Sequence, residues 1–288
     1  MSSGPADPDH GDQLFLLEPE WPLPARVRCV ITLRSAWTSP RSGHEQSPSS
    51  GTGLSCPAGQ DTGATTAASA AARKNGLKQS PRLRAALAGQ LGRDIAVQWL
   101  DQVHGANVVE ARAGNQMPNA DACYSRMQNL ACAVMTADCL PLLITALDGS
   151  VVAAAHGGWR GLAAGVISAT VARLGVDPAQ LSVYLGPAIC AAHFEVGPEV
   201  RSAFLAKPWL KALEQASELG SLFRPSLSRP GHYHADLYGL ARLELRQLGV
   251  SHIHGGSFCS QGQPHWFYSH RRGRDVGRTA SLIWIEAP

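Results

Sequence analysis

The segment at 131–155 constrains the fold of this chain more than any other part of the sequence. It reads ACAVMTADCLPLLITALDGSVVAAA, a long apolar stretch that contains one Asp-Gly pair. An Asp-Gly pair between β-forming segments is a strong hairpin signal, because both residues accept the positive φ that a tight turn needs. The segment therefore predicts two buried strands joined by a turn at Asp148 and Gly149.

Helices and strands alternate along the rest of the sequence. Strand-like segments lie at 27–35, on both sides of a break near Gly105 within 94–111, and at 181–189, 252–259 and 279–285. Helical patterns lie between Pro81 and Gly92, and at 162–174, 198–205 and 235–249. This interleaving, with hairpins among the strands, predicts mixed sheets with helices packed on them.

The composition favours a compact fold with two less ordered parts. Of the 288 residues, 44% are hydrophobic and 16% are charged, a balance that favours a buried core over disorder. We expect residues 1–20 to form a loose polar tail. Residues 36–71 are dense in Ser, Gly, Thr and Pro, which predicts a long loop.

Several functional classes find no support in the sequence. The net charge of +3 is small for the length, so we expect neither a nucleic-acid partner nor a membrane-surface partner. No apolar run approaches the length of a spanning helix, and the first residues lack the pattern of a secretory signal. Seven scattered cysteines favour reduced thiols or metal ligands, and hence a cytoplasmic protein. Neither a Gly-x-Gly-x-x-Gly motif after a strand nor a P-loop is present, so a nicotinamide or ATP site is not indicated.

Three separate segments each end a strand with a side chain that can bind a metal. These are His104 in QVHG, Cys139 in TADC and His156 in AAAHGGWRG. One thiolate and two imidazoles suit Zn²⁺ and leave a fourth position open. The spacing matches no local zinc-finger pattern, so a buried cysteine and two ordinary histidines remain an alternative. A second alternative is a nucleophilic pair of Cys139 with His104 or His156.

Other polar clusters carry weaker signals. The segment WFYSHRRGRDVGR at 266–278 is either a solvated loop or an anion clamp, since guanidinium groups match phosphate oxygens. In HYHADLYGL, Asp236 is better explained as a helix cap than as a metal ligand beside His232 and His234. The histidines at 252 and 254 share one face of a strand.

Six ordered motifs, from residue 94 to 287, resemble the YfiH family, also called laccase-domain or polyphenol-oxidase-like proteins. They are QVHG, TADCLPLL, AAHGGWRGLAAGV, YLGPAI with FEVGPEV, DLYGLARLELRQLGV, and FYSHRR with GRTASLIWI. The resemblance implies a single α+β domain over 21–288, a sandwich of mixed β-sheets with flanking helices. It also places the family's zinc ligands on His104, Cys139 and His156.

The resemblance further implies a purine nucleoside phosphorylase. Such an enzyme cleaves adenosine, inosine and 5′-methylthioadenosine with phosphate, and adenosine deamination is attributed to the family as well. Asp138 and Arg160 are then candidate catalytic residues, with Asp138 either a proton shuttle or a supporting carboxylate. Arg34, Arg271 and Arg278 are candidates for binding substrate.

The N-terminal part departs from the family pattern. Arg34 matches the family's first arginine, but the double glycine and the HVGDD-like residues that the family carries nearby are missing. Two alternatives to the phosphorylase therefore stay open. One is a copper-dependent polyphenol oxidase, for which only the His-x-His pairs at 232/234 and 252/254 are suitably spaced. The other is a zinc-binding partner protein without catalytic activity.

Overall fold

The computed structural model describes residues 14–34, 86–87, 89–91, 94–207, 210, 217–273, 275 and 277–288. Residues 1–13 of the expected tail, the loop expected at 36–71 and half of the residues between Pro81 and Gly92 lie outside the described residues. The residues described in that last segment, 86–87 and 89–91, are helical as predicted. Among the described residues, no helix has the length and apolar character needed to cross a bilayer.

Two mixed sheets form the centre of the fold. The strands are β1 Phe15–Leu17, β2 Val27–Leu33, β3 Ala96–Gln98, β4 Val108–Glu110, β5 Ala122–Ser125, β6 Leu130–Thr136, β7 Leu140–Ala146, β8 Val152–Gly157, β9 Leu181–Leu185, β10 Glu195–Val196, β11 Phe223–Pro225, β12 Tyr233–Ala235, β13 His252–Gly255 and β14 Thr279–Ile285. One sheet has the order β1-β2-β14-β6-β3 and the other β13-β9-β7-β8-β5-β4. The strands β10, β12 and β11 pair in that order and form a third, small antiparallel sheet.

Helices cover one face of the six-stranded sheet. They are α1 Trp159–Ala164, α2 Val166–Leu174, α3 Pro198–Leu205, α4 Ser217–Leu222 and α5 Leu237–Gln247, and short 3₁₀ turns form at Pro178–Gln180 and Ala191–His193. Asp236 caps α5, because its side chain accepts the N–H of Gly239 at 3.0 Å. The expected helix cap is thus confirmed.

The alternation of side chains along the strands creates three apolar layers. On β7, Leu142 and Ile144 pack towards the helices, whereas Leu143 packs between the two sheets against residues such as Ile31 and Val134. A third layer covers the outer face of the five-stranded sheet, around Leu87. Because both faces of β7 are buried, its sequence is apolar except for the buried Thr145 rather than alternating. The predicted α+β sandwich of mixed sheets with flanking helices is confirmed.

Three local predictions need correction. The segment 131–155 forms three strands rather than two, because the chain turns at 137–139 and passes from the five-stranded to the six-stranded sheet. The helix expected at 162–174 is interrupted at Gly165, where φ is +94°. In the expected tail at 1–20, Phe15–Leu17 pair with β2, since Leu16 packs on the outer apolar layer.

Candidate metal centre

The candidate site lies at one end of the sandwich, where strands of both sheets terminate. The turn between β6 and β7 carries Cys139, and β8 ends beside it, with Gly157 opposite Leu140 in the strand register. His156 is the last but one residue of β8. Antiparallel pairing of β7 with β8 therefore brings two of the predicted side chains together from segments 17 residues apart.

The third side chain, His104, comes from the loop between β3 and β4. The buried carboxylate of Asp121 shapes this loop, because it accepts the backbone N–H groups of Val103, His104 and Gly105 at 3.3, 2.9 and 2.6 Å. His104 itself has φ +61°, a left-handed conformation that few non-glycine residues adopt. Three hydrogen bonds to one carboxylate offset that strain.

Asp121 also orients His156. Its Oδ1 lies 2.8 Å from Nδ1 of His156, and the two side chains are 0% and 3% exposed. Because an ionised carboxylate only accepts hydrogen bonds, Nδ1 of His156 must carry the proton. The other ring nitrogen, Nε2, is then left for a ligand, as in many histidines that bind metals.

The ligand atoms of His104, Cys139 and His156, which we call the Cys-His₂ group, all lie within 4.8 Å of one another. The Cys139 Sγ to His104 Nε2 distance is 4.0 Å. Tetrahedral zinc would place a sulfur and a nitrogen ligand about 3.6 Å apart. The pair of Cys139 and His104 is therefore within a few tenths of an ångström of the separation that a bound ion requires.

Gly158 keeps the space between the ligands clear. A Cβ at this position would lie 2.9 Å from Cδ2 of His104 and 3.2 Å from Sγ of Cys139. The first distance is shorter than real Cβ contacts, so any side chain here would occupy the space that the three ligands enclose. The double glycine after His156 thus has a packing reason at its second position.

Charges within the site favour the metal-binding form of the thiol. Burial by itself would raise the pKa of Cys139, but the charge of His156 and hydrogen bonds from both histidines outweigh it and lower that pKa to about 6. Burial by itself would lower the pKa of His156, but Cys139 and Asp121 raise it to about 9. Cys139 is therefore a thiolate at neutral pH, and metal binding requires His156 to release a proton.

Asp138 is bound to the loops that surround the Cys139 turn. It has φ +88°, its Oδ1 accepts the Ser260 hydroxyl at 2.6 Å, and its Oδ2 accepts the backbone N–H of Arg271 at 2.7 Å. Two predicted site residues, Asp138 and Arg271, are thus brought into contact. The Arg271 guanidinium is exposed, donates to the Glu195 carbonyl and lies 5.6 Å from the Phe194 ring centre.

Arg160 lies in the first turn of α1, four residues after His156. Its side chain is exposed, and its guanidinium lies 4.3 Å from the centre of the Trp159 ring. This stacking holds a positive charge at the edge of the site, and no carboxylate among the described residues forms an ion pair with it.

Arg34 and Arg278 lie at the same end of the five-stranded sheet but outside the Cys-His₂ group. The register places Thr279 opposite Thr136, so the start of β14 and the end of β6 lie side by side. Arg34 pairs with Asp275 at 3.0 Å and lies over the Tyr268 ring, while Arg278 donates to the Gly277 carbonyl. Within the described chain, neither arginine makes a hydrogen bond or ion pair with the three ligands.

Asp121 was missed in the sequence interpretation. The available signal was a carboxylate placed directly before the apolar strand ACYS. A charge in such a position is buried only at high cost unless it is paired. No fixed spacing links this residue to His104 or His156, so its partners were not visible in the sequence.

The fold and the site define a class of protein, an α+β sandwich that carries a group able to hold a metal ion at one end. Residues 73–286 match a family model described as multi-copper polyphenol oxidoreductase laccase. A purine nucleoside phosphorylase of Pseudomonas aeruginosa is 43% identical over 270 residues, which are 94% of this chain and 98% of that protein. The purine nucleoside phosphorylase YfiH of Escherichia coli is 43% identical over 188 residues, 65% of this chain and 73% of its own length.

Solved structures agree with these sequence matches. A Neisseria meningitidis protein has a TM-score of 0.72 at 38% identity, covering 94% of this chain and 99% of its own. The YfiH protein of Bacillus licheniformis has a TM-score of 0.67 at 25% identity, covering 96% and 98%. The chain belongs to the YfiH family of laccase-domain proteins.

Replacing Asp121 by Asn should weaken metal binding by about 10- to 100-fold, because the charge that orients His156 is lost. Zinc affinity, measured by competition with a chromogenic chelator, tests this expectation. Asp148→Asn is the matched control, since Asp148 is an exposed turn residue and its loss should leave affinity unchanged. Equal affinities for the two variants would contradict a role of Asp121 in the site.

Gly158→Ala should also lower zinc affinity, by more than about 10-fold, because the added methyl group meets His104 and Cys139. The backbone at Gly158 has φ −64° and ψ 152°, which alanine adopts without strain, so the fold should be retained. Gly89→Ala is the control, since a Cβ there meets nothing within 4 Å. Unchanged affinity in Gly158→Ala would show that the ion does not lie in the space next to this residue.

Proposed function

We propose that this protein is a zinc-dependent purine nucleoside phosphorylase that cleaves adenosine, inosine and 5′-methylthioadenosine. The products are the free base and ribose 1-phosphate or its methylthio derivative. The observation that carries the proposal is the open Cys-His₂ group in a chain that aligns over 94% of its length with a protein named purine nucleoside phosphorylase. His104, Cys139 and His156 are the proposed zinc ligands.

The chemistry of the reaction matches the side chains at this end of the sandwich. A phosphate oxygen attacks C1′ of the ribose, the N-glycosidic bond breaks with its electron pair going to the base, and the sugar passes through an oxocarbenium-like state. Phosphate needs cations that hold its oxygens, and guanidinium groups are well suited to this. Arg160 and Arg271 are the proposed phosphate ligands, because both are exposed beside the residues that carry His156 and Cys139.

Zn²⁺, when bound, supplies a Lewis acid that polarises an oxygen and lowers the pKa of water. The protein's own residues hold the ligand set rigid: Asp121 fixes the ring of His156 and the loop of His104. We further propose that Arg34 and Arg278, at the same end of the sheet, contact the nucleoside. We further propose that the protein acts in the cytoplasm, since no disulfide forms among the six described cysteines, as a reducing compartment favours.

The family description favours one competing function, copper-dependent oxidation of phenols. Several coppers need several groups of ligands, and the described residues contain two groups able to hold a metal. Neither group includes His232, His234, His252 or His254, the histidines with suitable sequence spacing. Metal analysis of protein purified without added metal, together with oxygen uptake in the presence of a phenol, separates this function from a zinc-dependent phosphorylase.

Purified protein incubated with inosine and phosphate should yield hypoxanthine and ribose 1-phosphate, and omission of phosphate should abolish both products. His104→Ala should lower the rate by at least about 100-fold through loss of a zinc ligand. The control is His252→Ala, an exposed histidine on β13 that should retain full activity. Chromatography of base and sugar phosphate measures all three proteins. If His104→Ala turns over inosine as fast as the unmodified protein, the proposal is wrong. If calorimetry also detects no nucleoside binding, a non-catalytic zinc protein is favoured.

We also propose adenosine deamination at the same site, with Asp138 as the group that moves the proton. Asp138→Asn should lower inosine formation from adenosine by about 100-fold and reduce phosphorolysis much less. Asn can preserve both local contacts, because its oxygen accepts the Arg271 N–H and its amide donates to the Ser260 hydroxyl. An equal loss of both activities would assign Asp138 a supporting role only.

A further inference from the structure

A second cluster of soft ligands lies outside the Cys-His₂ group. Nδ1 of His193 lies 3.3 Å from Sγ of Cys190 and 3.3 Å from Sγ of Cys259. The three ligand atoms lie within 4.8 Å of one another, and neither cysteine takes part in a disulfide. We call these three residues the Cys₂-His group.

The fold brings this cluster together from two strand ends. The parallel neighbours β9 and β13 leave the six-stranded sheet at the same edge, and a bridge between Ala188 and Cys259 continues their pairing beyond it. Cys190 then precedes the 3₁₀ turn Ala191–His193. Cys190 and His193 thus form a local Cys-x-x-His pair. This pair faces Cys259, which lies 66 residues after His193.

The surroundings of Cys259 stabilise a thiolate. Its Sγ accepts backbone N–H groups from Cys190 at 3.4 Å and Gly262 at 3.3 Å. Backbone amides that donate to a ligand sulfur are a common support for metal thiolates.

We propose that Cys190, His193 and Cys259 form a second metal site, distinct from the proposed nucleoside site, which binds Zn²⁺ through two thiolates and one imidazole. The sulfur–nitrogen distances of 3.3 Å are within a few tenths of the about 3.6 Å expected around tetrahedral zinc. Cys190 and His193 are half-buried, so an ion reaches the group from solvent. Soft sulfur ligands select Zn²⁺ over Mg²⁺ or Ca²⁺.

The loops that carry the second site also hold part of the first site, the turn that carries Cys139. Ile189, next to Cys190, donates its N–H to the Asp138 carbonyl at 3.0 Å, and Ser260, next to Cys259, donates its hydroxyl to the Asp138 carboxylate. Both loops of the Cys₂-His group therefore hold the residue that precedes Cys139. A metal ion that joins the two loops would fix the position of the Cys139 turn without touching substrate.

Zinc content by mass spectrometry, after dialysis against a weak chelator, tests the proposal on the full-length chain. We expect two zinc ions per chain in the unmodified protein, one in Cys139→Ser, one in Cys190→Ser, and none in the double variant. Cys29→Ala removes a buried cysteine outside both groups and should retain two ions. A single zinc ion per chain that Cys190→Ser leaves in place would overturn the proposal, as would a Cys190–Cys259 disulfide found by peptide mapping of the purified protein.

Cobalt spectra keep the test decisive if a variant fails to fold. Cys139→Ser loaded with Co²⁺ should show sulfur-to-cobalt charge transfer from Cys190 and Cys259 and tetrahedral d–d bands. His193→Gln in that background should shift the d–d bands and weaken Co²⁺ binding by at least about 10-fold. Absence of a charge-transfer band in Cys139→Ser would show that the Cys₂-His group does not bind a metal.

Discussion

The site depends on one buried carboxylate. Asp121 accepts three backbone N–H groups from the loop that carries His104 and one ring N–H from His156. Its backbone carbonyl also accepts the N–H of His156 at 2.7 Å. An unpaired carboxylate with no exposed surface would be strongly destabilising, and burial by itself would raise the pKa of Asp121, but hydrogen bonds from His156, Gly105 and His104 and the charge of His156 lower that pKa instead. One side chain thus fixes two of the three ligands relative to each other.

The position of the third ligand, Cys139, depends on the passage of the chain from one sheet to the other. The chain leaves the five-stranded sheet after Thr136 and enters the six-stranded sheet at Leu140, so only three residues span the gap between the layers. Asp138 takes a left-handed conformation within this turn, as His104 does in its own loop. Both are non-glycine residues in sparsely populated conformations, and both lie at the candidate site. Strain of this kind persists where surrounding hydrogen bonds fix the backbone, as those of Asp121 and Asp138 do here.

The sequence was sufficient to predict most strands and helices, but not to predict which of them pair or which side chains meet. Strands such as 27–33 and 279–285 were predictable because their apolar, β-branched residues repeat over a length typical of strands. The turn at 137–139 was missed because two strands that pair with each other and two strands in different sheets produce the same apolar sequence pattern. Asp121 and the Cys₂-His group were missed for a related reason. Apart from the local Cys190–His193 contact, their contacts join residues 16 to 69 positions apart, and strand order, which no local pattern encodes, determines which of these residues meet.

The two candidate groups differ in a way that suits different roles. A divalent ion held by one thiolate and two neutral imidazoles retains about one positive charge on its ligand set, whereas two thiolates and one imidazole neutralise it. Asp121 offsets part of the first charge, but it lies behind His156 with no exposed surface. Arg160 follows His156 by four residues, and the backbone N–H of Arg271 binds the carboxylate of Asp138, next to Cys139; both arginines are exposed. With an ion bound, the Cys-His₂ group would attract an anion such as phosphate, while a neutral Cys₂-His group would mainly join the loops from β9 and β13 and hold the turn that carries Cys139.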